Sequence, residues 1–376
     1  MKKSIFFLFA ATLSLASCST KEEILEESST RDLSFDTFVD KATTTKAPGA
    51  NLETLYGNFG VWGYYSSVGG AAWMNVFDSQ KENNNNPQLV TFNKTNGTWS
   101  YSPIAKWVPK QEYRFYGYAP YYKNNTLTQE LKEPINATMQ NGANDGIITF
   151  TDYTLNGAPT DGSEMEYPAE NQLTDLMIST GHARSTNIFD NSSINLNFKH
   201  LLTNVNLVFK TTSLYTIDIT SVKLHQVKSK GTAVVTLGNE SAEGGIIAAS
   251  PAVTWEASEP ITIKGKSTTT PLVNSSTSEF RAMENMYMIP QDFDQKALTL
   301  EVTYVVGGED ETNSRDNVYT KSISLATTAK AWNPGVRITY TVIINTGNIQ
   351  GSGNEISFGS ATTTDWLNSD GIINQD

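Results

Sequence analysis

The chain is poor in the residues on which most protein-site chemistry depends. It has one cysteine, Cys18, and three histidines, His182, His200 and His225, among 376 residues. A single cysteine excludes an internal disulfide, a thiolate zinc site and an iron–sulfur cluster. Three histidines leave room for little more than one imidazole metal site. Cations are also scarce: 27 Lys and Arg stand against 39 Asp and Glu, giving a formal net charge of −12. That sign argues against nucleic acid or an anionic bilayer as the main partner, because phosphate neutralisation needs clustered cations. Hydrophobic residues at 38% and aromatics at 10% nevertheless exclude a disordered chain. No window sustains a long helical apolar stripe, and no segment of 20–50 residues repeats. Catalytic motifs are missing as well. There is no Gly-x-Ser-x-Gly elbow, phosphate-binding loop, His-Glu-x-x-His pair or complete EF-hand loop. The acidic cluster Asp161, Glu164, Glu166 and Glu170 is interleaved with Gly162, Ser163 and Pro168, which reads as a solvated loop. The expectation is a protein that is not an enzyme and holds no metal or other cofactor.

What the chain does have begins at its N-terminus. Met1-Lys2-Lys3, the apolar run Ile5 to Leu15 and the small residues Ala16 and Ser17 read as a signal peptide over 1–17. The run is too short to span a membrane, which takes roughly 20 residues. Leu15-Ala16-Ser17-Cys18 resembles a bacterial lipobox, which implies acylation of Cys18 and an anchor in outer-membrane lipid. Lys21-Glu22-Glu23 resembles the export signal of Bacteroidetes lipoproteins, which implies display at the outer face of the outer membrane.

Beyond this tether, strand signals dominate. Leu298, Leu300, Val302, Tyr304 and Val306 alternate with Thr299, Glu301, Thr303 and Val305. Val336, Ile338, Tyr340, Val342 and Ile344 do the same, as do Ile194, Leu196 and Phe198. Period-two alternation rich in Val, Ile, Thr and Tyr predicts strands with one buried face. Turn pairs such as Asn96-Gly97 and Asn333-Pro334-Gly335 punctuate them, and polar loops are expected at 81–86, near 123–146, near 155–171 and around 308–316. The prediction is an all-β protein of antiparallel sandwiches. A shift from aromatic-rich to Val/Thr/Ile-rich sequence divides it near residue 200, into domains at 47–199 and 200–376 behind a segment at 18–46.

Several strings, in order, resemble the fimbrillin family of Bacteroidetes, the subunits of type V pili. They are Asn58-Phe59-Gly60-Val61-Trp62-Gly63-Tyr64, Arg114-Phe115-Tyr116-Gly117-Tyr118-Ala119-Pro120 and Asp175-Leu176-Met177. Leu196-Asn197-Phe198-Lys199-His200-Leu201, Met288-Ile289-Pro290-Gln291, Trp332-Asn333-Pro334-Gly335 and the stretch Ile356 to Trp366 follow. Each string also has a structural reading. Phe115, Tyr116 and Tyr118 suit a half-buried strand stopped by proline, His200 a core histidine, and Trp332 and Trp366 core anchors.

The resemblance implies two transthyretin-like β-sandwiches and assembly by strand exchange. A first strand is cut away by a surface protease, and a strand from another pilus subunit fills the groove. On this chain the removable strand would carry Leu33, Phe35, Thr37 and Val39 on one face. The cut would fall at Lys46–Ala47, with Arg31 as runner-up, although cleavage there leaves the strand attached. Lys46 stands where family members usually carry Arg, and an Arg-only protease would leave the protein as a lipid-anchored base subunit. The donor would lie at 354–374, with Ile356, Phe358 and Trp366 as its apolar residues. Partners would then be pilus subunits and a host or bacterial surface receptor, in adhesion or biofilm, with no nucleic acid. The alternative is a surface glycan-binding lipoprotein that stacks sugars on Trp73, Trp99 and Trp107.

Overall fold

Alternation in the sequence becomes alternation of burial. Leu298, Leu300, Val302 and Tyr304 are buried, as are Ile338, Tyr340, Val342 and Ile344, while the residues between them are half-buried. The protein, seen in a computed structural model, is described over 31–39, 52–82, 85–122, 133–140, 142, 146–155, 157–159, 164–167, 174–185, 193–237, 252–275, 277–293, 298–307, 318–325, 331–346, 354–358 and 362–365.

Its elements are β1 (Phe35–Val39), α1 (Leu52–Leu55), β2 (Asn58–Ser67), β3 (Met74–Asn75), α2 (Asp78–Glu82), β4 (Gln88–Asn93) and β5 (Thr98–Ser100). Next come β6 (Gln111–Ala119), β7 (Ala137–Gln140), β8 (Ile147–Thr154), β9 (Glu164–Glu166), β10 (Met177–Ser185), β11 (Ile194–His200) and β12 (Thr203–Thr211). The rest are β13 (Ile217–Thr236), β14 (Ala252–Lys264), β15 (Phe280–Met288), β16 (Gln291–Asp292), β17 (Thr299–Val306), β18 (Val318–Ser324), β19 (Ala331–Trp332), β20 (Val336–Thr346), β21 (Asn354–Phe358) and β22 (Thr362–Asp365). The fold is nearly all β in several sheets, as predicted. No described helix is long and apolar enough to cross a membrane.

The first sheet has the order β1-β11-β10-β6-β2-β4-β5, with β3 attached to β2. Its central strands β2 and β6 are buried on both faces, which corrects the half-buried reading of the Arg114–Pro120 string. The reason is the layering. Phe59, Val61, Tyr113 and Phe115 enter one apolar cluster, whereas Trp62, Tyr64, Tyr116 and Tyr118 enter a second. Glycines on β2 make room for these rings. A Cβ on Gly60 would lie 2.5 Å from the Tyr118 ring.

The second cluster is shared with the other sheets. One runs β15-β12-β20-β21, with β22 also on β20, and another runs β18-β17-β13-β14-β9, with β7 and β8 joined to β13 through β8. Pairing is mainly antiparallel, but β1–β11, β12–β20 and β14–β9 are parallel. Strands β7 and β9 fall inside spans expected to be loops. They are short, and their register comes from β8 and β14 rather than from any pattern of their own. Trp332 is buried with its indole N–H donating to the Tyr340 hydroxyl at 3.0 Å, the anchor role expected of it. Trp366 lies outside the described residues.

Candidate strand-exchange slot

The segment 31–39 is held from two sides. Phe35–Val39 runs parallel to β11, with Phe35 opposite Ile194 and Val39 opposite Phe198. Its leading residues pair instead with the stretch after β5. The Leu33 N–H donates to the Ala105 carbonyl and the Trp107 N–H to the Arg31 carbonyl, both at 2.9 Å. β1 and β5 end the first sheet, and this short ladder ties the β1 end to the stretch that follows β5.

The side chains follow the predicted alternation. Leu33, Phe35, Thr37 and Val39 are all buried, with Val39 fully so, while Ser34 and Asp36 are exposed and Phe38 is half-buried. Phe35 sits in an aromatic socket, its ring centroid 5.6 Å from Phe59, 5.7 Å from Phe115, 5.8 Å from Tyr101 and 6.4 Å from Phe77. The Tyr101 hydroxyl donates to the Leu33 carbonyl at 2.8 Å, and burial pushes its pKa up, so it stays a neutral donor. Thr37 is the exception on this face, its Oγ1 buried with no hydrogen-bond partner. Each fully buried apolar side chain of this strand is worth about 2 kcal/mol against exposure.

Outside this core the strand makes polar contacts. Asp32 is ion-paired to Lys106, and Ser34 Oγ lies 2.9 Å from Ser193 Oγ. An open cleft of about 240 Å³, lined by Tyr65, Phe77, Lys81, Ile104, Lys106 and Tyr113, adjoins this end. Glu53 on α1 has its carboxyl pushed up, first by burial and then by the charge of Asp36.

The structure brings Leu33, Phe35, Thr37 and Val39 together as one face. Arg31 stands at the head of the same ladder, half-buried. Ile356 and Phe358 lie on β21, opposite Ile344 and Val342 of β20, and β22 continues along the same edge. Cys18, Lys21, Glu22, Glu23, Lys46, Ala47 and Trp366 lie outside the described residues. Tyr101, Lys106 and Ser193 were not legible as slot residues, because their roles come from pairings across 68 or more positions.

A second group also emerges only in three dimensions. Asp175 and His200, each inside a recognised string, form a buried pair through His200 Nδ1. The Asp175 N–H donates to the Tyr56 hydroxyl at 2.8 Å. Burial pushes the Asp175 carboxyl up despite the opposing effect of His200, and it pushes the Tyr56 hydroxyl up as well. This pair sits where strings converge: Met177 is opposite His200, the Leu201 N–H donates to Leu176, and the Gly335 N–H to Leu202. It is a junction between sheets.

The remaining candidates have structural partners. Trp99 lies against Phe59 and Phe92, with centroids at 4.9 and 5.2 Å, and Trp107 against Tyr113 at 4.7 Å. The Arg114 guanidinium covers Trp73 at 4.2 Å. None of the three is an open stacking platform, so the glycan-binding alternative is not favoured. In the acidic cluster, Glu164 reaches Lys223 at 2.7 Å and Lys264 at 2.8 Å, and Glu166 reaches Lys264 at 2.9 Å. Hydrogen bonds from Lys223 and Lys264 lower the Glu164 carboxyl to about 2. Among the described residues no group of three or more His, Cys, Asp or Glu is placed to hold a metal ion.

A sequence profile described as fimbrillin-like matches residues 45–366, most of the chain. The chain belongs to the fimbrillin-like family. Its strand-closed slot is therefore carried by a member of a family of surface fimbrial proteins with a structural role. No curated protein matches this fimbrillin-like chain in sequence. Among solved structures, a fimbrial protein from Bacteroides vulgatus is 15% identical with a TM-score of 0.49, over 90% of this chain and 100% of that one. The fimbrial anchor protein Mfa2 from Porphyromonas gingivalis is 9% identical with a TM-score of 0.33, over 90% of this chain and 99% of that one.

Proposed function

We propose that the protein is a structural subunit of a surface pilus, exported as a lipoprotein on Cys18 and assembled by exchange of its first strand. The observation that carries this reading is the slot. The short segment 33–39 supplies one edge of the first sheet and fills its core with Leu33, Phe35 and Val39. Taking it out would expose that core together with unpaired backbone on β11 and on 105–107. An extended segment of another subunit would satisfy both, through main-chain bonds and alternate side chains.

Cleavage at Lys46–Ala47 is the preferred release, since Lys46 follows the strand in sequence. The Arg31 carbonyl already accepts the Trp107 N–H, so a protease would have to break that ladder to cut there. The export address at Lys21-Glu22-Glu23 supports an outer-surface location, and adhesion or biofilm is the process such a pilus serves. The two-domain division near residue 200 belongs to this reading too, with β8 and β9 crossing it to pair with β13 and β14.

The test is N-terminal sequencing of the surface form beside an unboiled gel. A mature chain beginning at Ala47 and running as a ladder is expected. Uncut monomer that keeps a lipidated Cys18 would overturn the shaft role and leave only an anchor.

A further inference from the structure

The strand that fills the slot is preceded and opened by Asp32-Leu33-Ser34-Phe35. Near the other end of the chain, Glu355-Ile356-Ser357-Phe358 repeats the same order of acid, aliphatic residue, serine and phenylalanine. Each position of that order meets a different feature of the slot. Asp32 is ion-paired to Lys106. Leu33 is 2% exposed and its carbonyl accepts the Tyr101 hydroxyl. Ser34 meets Ser193, and Phe35 fills the socket of Phe59, Phe77, Tyr101 and Phe115.

We propose that Lys106 is the specificity-determining residue of the slot, and that it selects the segment 355–362 of a second copy of this chain, seated in the register of β1 with Glu355 on Lys106. The proposal rests on the strand-exchange reading and adds to it a register and a charge. Ile356 then takes the place of Leu33, Ser357 faces Ser193, and Phe358 enters the aromatic socket. Gly359 falls where Asp36 stands, which removes the like charge beside Glu53. Ser360, Ala361 and Thr362 replace Thr37, Phe38 and Val39 with smaller or more polar groups, so this segment buries less than β1 does. It enters only after β1 has gone, and the departure of β1 takes Asp32 away from Lys106. Within one chain the same residues are paired along β20, so donation also requires them to leave that edge.

The experiment uses the full mature chain with a site-specific protease sequence in place of residues 42–47, nicked, stripped of the released N-terminal fragment, and then mixed with fluorescent peptides. The peptides span 31–40, 354–363, and 354–363 with Glu355→Lys. Anisotropy should show the 31–40 peptide binding best. The native 354–363 peptide should bind about twofold to fivefold better than its Glu355→Lys form, the size expected of an exposed ion pair. The preference should shrink at high salt. In a Lys106→Glu chain, whose exposed substitution leaves the core intact, the order of the last two peptides should reverse. Equal binding by both, or no reversal, overturns the role of Lys106 while strand exchange stands. Binding of 31–40 but not 354–363 overturns the choice of occupant. Failure of all three peptides overturns strand exchange and this proposal with it.

Discussion

Thr37 shows how closely a single side chain can be judged once its surroundings are known. Alternation placed it on the inner face of the first strand, and there it is, 4% exposed. What alternation did not convey is that its hydroxyl finds no partner among the aromatics. A buried hydroxyl left unsatisfied costs roughly 1–3 kcal/mol. Thr37→Val, nearly the same shape, should therefore raise the urea midpoint by an amount equivalent to about 1 kcal/mol. A fall in the midpoint would mean that the hydroxyl is satisfied. Asp175 gives a second prediction. Its folded-state pKa is raised above the ordinary 3.8, so the native state binds its proton more tightly than the unfolded chain does. The resulting stabilisation is complete below pH 3.8 and is lost as pH rises through the folded value. Asp175→Asn cannot ionise, so the stability of the variant relative to the parent should climb as pH rises from 3.8 through the folded value, as read from denaturant midpoints. A constant difference would refute the raised pKa. Neither Asp175 nor His200 announced its partner in the sequence, because 25 residues and two strands separate them.

Strands with a full period-two pattern were legible, and strands without one were not. β11, β17 and β20 could be read residue by residue, since one face of each is buried and the other is half-buried or exposed. β6 was legible as a strand but not as a central one, because its two aromatic faces look like one hydrophobic run until both layers are in place. β7 and β9, with four and three residues, carry no pattern at all and exist through their neighbours. The slot depends on one such neighbour relation. Gly181 on β10 lies where an added Cβ would sit 2.7 Å from Ile194 and 3.0 Å from Leu196, the residues of β11 that support β1. Gly181→Ala should push β11 outward, costing about 1–3 kcal/mol by overpacking. Hydrogen exchange should rise first in Phe35–Val39 and β11. Protection unchanged in those two strands, with loss elsewhere, would count against this coupling.

Across the molecule, the composition that lacked thiols, imidazoles and catalytic motifs belongs to a fold that spends its aromatics on two cores. The sequence signalled two regions of different composition but gave no sign that β8, before residue 200, pairs with β13 after it. Pairings between strands some 80 residues apart leave no mark that either strand carries alone. A fragment of residues 47–199 would leave Ile148 and Phe150, both fully buried, without β13 as a neighbour. Such a fragment should lack a cooperative thermal transition and sharp near-ultraviolet dichroism, and a native-like melt would show that β8 does not need β13. The parallel pairing of β1 with β11 has one last consequence. In the proposed exchange, a segment seated in the orientation of β1 would meet a receiving surface unlike the segment that gives. Contacts of this kind are heterologous and need not close into a symmetric dimer. A chain of such contacts has a head and a tail, so it would elongate with a fixed polarity and carry one unfilled slot at one end.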